Sequence, residues 1–131
     1  MDGLKVTEQL IQAAEEVKRE YLNAGDQEDY CDREYNDLTH ALELFRFGGV
    51  EGYKLAKQMQ DNRINRRAAK DLQEELKPLY DLMNKYHTFF RDLKQVHADI
   101  ELTRGRQKNR RYTPRARTDL NEAFSESRLR E

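Results

Sequence analysis

His40, His87 and His97 are the side chains of this chain most suited to hold a metal or move a proton. Asp37 lies three residues before His40 and Glu101 four residues after His97, so on helices each carboxylate shares a face with its imidazole. A carboxylate-bridged metal site between helices wants two Glu-x-x-His motifs with further inward acids, and neither motif occurs. His97 instead falls where a polar residue sets helix register, and His40 near the rim of an amphipathic helix. Cys31, the only cysteine, sits in a helical stripe as a small hydrophobe and has no intrachain disulfide partner. Ser125 and Ser127 belong to a terminal segment. Gly48, Gly49 and Gly52 lack the lysine and the spacing of a phosphate-binding loop. The expectation is a protein without catalytic residues, metal or cofactor: not an enzyme.

Cations carry a stronger signal. Arg104, Arg106, Lys108, Arg110, Arg111, Arg115 and Arg117 fall within 14 residues that hold no acid, with Tyr112 among them. Arginines grip phosphates bidentately and a tyrosine stacks on a base, so this arm is the candidate partner or phosphate-binding site. Tyr112-Thr113-Pro114-Arg115 favours docking over free solvation, because proline stiffens the arm and tyrosine has apolar area to bury. Arg63, Arg66, Arg67 and Lys70 stand at i, i+3, i+4 and i+7 and form a secondary basic face. Asp29, Asp32 and Asp37 can neutralise that face in an antiparallel hairpin, the reading preferred to an external phosphate.

These groups must be positioned by helices. Leu72, Leu76, Leu79, Met83, Tyr86, Phe90, Leu93, His97 and Ile100 follow steps of four and three, a heptad seam that packs lengthwise on other helices. Upstream, a first helix is predicted from Thr7, capped by its hydroxyl, with Leu10, Ala14, Val17 and Tyr21 on one face and an end at Asn23, Gly25 and Asp26. A second runs from Glu28 to Phe47 with Cys31, Tyr35, Leu38, Leu42 and Phe45 inward, closed by Gly48 and Gly49 as a left-handed C-cap. Leu55 and Met59 open a third, a polar stretch from Asn62 to Arg67 follows, and the seam's phase is unbroken across Pro78. One long, proline-kinked helix over 51–103 is therefore expected. Thr118 is expected to cap a short last helix that turns Leu120, Ala123 and Phe124 inward. The organisation is a helical domain over 1–103, then a basic arm and short helix over 104–131.

With 131 residues, two prolines, six glycines and no alternating apolar pattern, the fold class is all-α: a helical bundle or hairpin with coiled-coil-like packing. The net charge of -1 hides an asymmetry. Residues 1–51 hold 13 acids and 5 bases, residues 52–103 hold 8 and 10, and residues 104–117 hold none and 7. The first ten residues carry acid and polar groups where a leader needs an apolar run, so the cytoplasm is the expected location, with no membrane partner. Helices too long to sheath one another suggest a homodimer.

Asp32-Arg-Glu-Tyr-Asn-Asp-Leu-Thr-His-Ala-Leu-Glu-Leu44, Glu51-Gly-Tyr-Lys-Leu-Ala-Lys57, Asn62-Arg-Ile-Asn-Arg-Arg67, Lys70-Asp-Leu72, Arg111-Tyr-Thr-Pro-Arg115 and Thr118-Asp-Leu120 together resemble a family of small helical proteins carried by phages and mobile elements of Gram-positive bacteria. The resemblance covers about residues 30 to 120 and leaves Met1 to Gly25 outside it. It implies a counter-defence or replication-accessory role, the setting of small anti-CRISPR proteins that block Cas9-type nucleases. The leading expectation is a non-enzymatic inhibitor of a host nucleoprotein enzyme, whose body docks on protein while the arm engages RNA or DNA phosphate. The alternatives are a dimeric helical module that binds nucleic acid itself and, remotely, metal-dependent hydrolysis.

Overall fold

The computed structural model describes residues 1–125; Ser127 and the end of the expected arm-and-helix unit lie outside the described residues. The chain is all-α, with α1 over Gly3–Leu44, α2 over Gly49–Lys85, α3 over His87–Lys108, a 3-10 turn over Thr118–Leu120 and α4 over Asn121–Ser125. α1 packs antiparallel along α2 and then α3, giving a two-layer hairpin whose closed end is the 45–48 loop. At 42 residues α1 is a rod of about 63 Å.

The two helices expected before residue 47 are one. α1 passes through Asn23, Gly25 and Asp26 without interruption because its inward stripe does: Ala14, Val17, Tyr21, Ala24, Glu28, Cys31, Tyr35, Leu38 and Leu42 alternate steps of three and four. Ala24 and Cys31 are buried, and Gly25 allows a close approach, since a Cβ there would meet the Gln73 amide at 2.6 Å. Continuous packing outweighs the roughly 1 kcal/mol that a mid-helix glycine costs. Leu10 and Phe45, expected inward, are exposed; Phe45 is the C-cap, its amide bonding the Ala41 carbonyl.

The caps also differ from expectation. Asp2, not Thr7, starts α1, its Oδ1 accepting from the Leu4 and Lys5 amides; the Thr7 hydroxyl donates back to the Gly3 carbonyl at 2.6 Å. Gly48 and Gly49 take no left-handed conformation. Gly48 is the N-cap of α2, its amide held by the Glu51 carboxylate at 3.0 Å, and Gly49 is already helical. Thr118 makes no capping hydrogen bond; Arg117 precedes the turn it opens.

In place of one helix over 51–103 there are two, and the break is at Tyr86, not Pro78. Pro78 lies inside α2 at an exposed position, where water can serve the carbonyl left without a donor. Tyr86, at φ -111° and ψ 34°, leaves helical geometry for a single residue. Packing explains the site of the break. Leu55, Asn62, Ala69, Leu76, Met83, Phe90 and His97, spaced by seven, all turn toward α1, but the accompanying stripe changes phase. Before Tyr86 it is Met59, Arg66, Gln73 and Tyr80; after it, Leu93 and Ile100. Leu72, Leu79 and Tyr86 of the expected seam are therefore exposed.

Candidate protein and phosphate interface

The middle of the hairpin holds a polar network. Asn62 is 1% exposed and donates to the Cys31 carbonyl and to Glu34 Oε1, both at 2.8 Å, while its own oxygen accepts from Arg63 at 2.7 and 2.9 Å. The Arg63 guanidinium stacks over the Tyr35 ring at 3.9 Å. Arg66 donates to Asp32 at 2.6 Å and to Glu28 at 3.3 Å. The Asp32 hydrogen bond and charge raise the Arg66 pKa above its usual value. Asn62 stood in the sequence as one residue of a polar stretch; its seven-residue spacing from Leu55 and Ala69 is the signal that places it in the seam.

This network decides the standing of the secondary basic face. Arg63 and Arg66 are taken up by the facing helix, and Lys70 meets Glu74 of its own helix at 3.9 Å. The hairpin neutralisation expected from sequence is realised through Asp32 together with Glu28; among the described residues Asp29 and Asp37 form no ion pair with the stripe. Arg67 remains exposed.

The basic arm divides into three parts. Arg104, Arg106 and Lys108 are helical, because α3 continues five residues past the expected boundary at 103 and cations suit a helix C-terminus. Arg104 pairs with Asp2, tying the open end of the hairpin, and Arg106 donates to the Thr103 hydroxyl at 3.2 Å. Arg117 pairs with Asp119 at 2.7 Å; that hydrogen bond raises the arginine pKa and lowers the carboxyl's. Between these ends lie Arg110, Arg111 and Arg115, exposed and outside any helix, with no ion pair among the described residues. Tyr112 does dock, on Phe124 of α4 at 5.2 Å between ring centres, while Leu120 and Ala123 are half-buried. The 118–120 turn and α4 contact each other and make no close backbone approach to α1, α2 or α3.

At the open end the two flanks of the helix seam differ. One carries an ion pair from Glu15 to Lys94 at 3.3 Å and a hydrogen bond between His97 Nε2 and Glu8 Oε1 at 3.0 Å, with Glu101 3.7 Å from the other ring nitrogen. The other is an apolar groove of about 520 Å³ between Leu10 and Val17 of α1 and Leu82, Tyr86, Phe89 and Phe90 across the α2–α3 break. No group of three or more histidine, cysteine or carboxylate side chains among the described residues could hold a metal. No described helix is long and apolar enough to cross a membrane. Comparison with known protein families, curated proteins and solved structures found no match.

Proposed function

We propose that this chain is a non-enzymatic interaction protein: a helical hairpin that docks on a host protein or nucleoprotein complex and brings a cationic segment against phosphate. The observation that carries this reading is the contrast between the two basic elements. Arg63 and Arg66 are consumed by Asp32, Glu28 and Asn62 within the hairpin, whereas Arg110, Arg111 and Arg115, close to Tyr112 along the chain, are exposed and form no ion pair among the described residues. Arginines flanking a tyrosine along the chain suit a nucleic-acid backbone with a base to stack. The resemblance to small phage and mobile-element proteins makes an inhibitor of a Cas9-type nuclease the leading form of the proposal, acting by occupation of guide RNA or DNA phosphate contacts.

A second reading, a dimeric module that binds nucleic acid without inhibiting an enzyme, is favoured by the apolar groove at the open end. Affinity purification from the bacterial host, with and without nuclease treatment and read by mass spectrometry, separates the two. Recovery of a protein complex that survives nuclease supports the inhibitor; recovery of nucleic acid alone supports the module.

A further inference from the structure

We infer that the apolar groove at the open end binds a second copy of this chain, with α1 of each copy laid over the α2–α3 junction of the other. The surface area sets the scale. The chain exposes 11070 Å², whereas a compact monomer of 15.7 kDa exposes about 7300 Å². A stable dimer needs each copy to cover only about 800 Å², a small share of the surface that this elongated hairpin exposes.

The location follows from the two flanks. The Glu15–Lys94 ion pair and the Glu8–His97 hydrogen bond bridge one flank, so burying it would strip solvent from polar groups already satisfied. The other offers Leu10 at 48%, Leu82 at 52%, Tyr86 at 51% and Phe89 at 57% exposure around the groove, an apolar face that the hairpin itself leaves uncovered. Its lining has no charge for a foreign surface to complement, and an identical apolar face is the complement the chain itself provides.

Charge fixes the orientation. Residues 1–51 carry 13 acids against 5 bases, and residues 52–103 carry 8 acids against 10 bases. A two-fold axis parallel to the helices sets the acidic α1 of one copy over the more basic α2–α3 layer of the other. The opposite choice stacks α1 on α1 and gathers like charge. The Tyr86 break belongs to this surface, since it turns Tyr86 and Phe89 outward beside Leu82 instead of continuing the stripe toward α1.

Sedimentation equilibrium of the full chain at micromolar concentration tests the inference. The expected mass is twice 15.7 kDa, little changed at high salt because the contact is apolar. Phe89→Asp should weaken the dimer by roughly 100-fold with helical circular dichroism intact, as expected for a half-exposed aromatic at the centre of an interface. Leu10→Lys, on the other wall, is the independent second variant. Lys94→Gln, on the ion-paired flank, should leave the mass unchanged. A wild-type monomer, which would leave the groove to a foreign helix, overturns the inference, and so does a dimer insensitive to both groove variants. The arm is not involved: a chain with Arg110, Arg111 and Arg115 neutralised should still dimerise, so failure here and failure of the phosphate reading are separate results.

Discussion

Asn62 donates its side-chain amide to the Cys31 carbonyl oxygen of the facing helix at 2.8 Å, and each residue is 1% exposed. A buried amide in a seam of apolar and small residues pins register, because a slip of either helix would leave it without partners. Asn62→Ala strands the Arg63 and Glu34 groups as well and should cost about 1 to 3 kcal/mol in chemical denaturation. Asn62→Leu should retain stability but broaden the distance distribution between spin labels on α1 and α2. A leucine variant with an unchanged narrow distribution would show that register is set elsewhere.

Gly25 tests the continuity of α1. A Cβ there meets only the end of the Gln73 side chain, which can swing away, and alanine is the better helix former. Gly25→Ala is therefore expected to stabilise the protein by about 0.5 to 1 kcal/mol. A chain that turned at residues 23–26 would lose stability on the same change.

Stability should also depend on pH through Asp2. The Lys5 amide, followed by Arg104 and the Leu4 amide, holds its carboxyl below the ordinary value of 3.8. A lowered folded-state pKa means the contribution is present above the unfolded value and is lost as pH falls through the folded one. Melting temperatures of wild type and Asp2→Ala should differ near neutral pH and converge as the pH falls below 3.8 and on through the lowered folded-state value.

The helical class, the inward faces of Cys31, Tyr35, Leu38 and Leu42, and the neutralisation of Arg66 by Asp32 were all legible in residue spacing and charge. Gly25 was misleading because turn composition was weighed without the stripe on either side: Tyr21, Ala24, Glu28 and Cys31 keep phase straight through it. The Tyr86 break is harder to read. Leu79 and Leu72 look like better seam residues than Tyr80 and Gln73, yet the latter face α1, Tyr80 stacking on Tyr21 at 4.2 Å between ring centres. Only the facing helix decides that choice. The arm's cations were evident from composition, but the capture of Arg104 by Asp2 joins residues at opposite ends of the chain and has no local signature.

The phosphate-binding claim is tested most directly by the salt dependence of binding to single-stranded nucleic acid and to a guide-loaded Cas9-type complex, for wild type and for Arg110→Ala/Arg111→Ala/Arg115→Ala. Each phosphate contact contributes about 0.7 to 0.9 to the slope of log affinity against log salt, so the triple variant should bind more weakly with a slope shallower by roughly 2 to 3. Equal affinity and equal slope for the two proteins would contradict the account and leave the hairpin body as the binding surface.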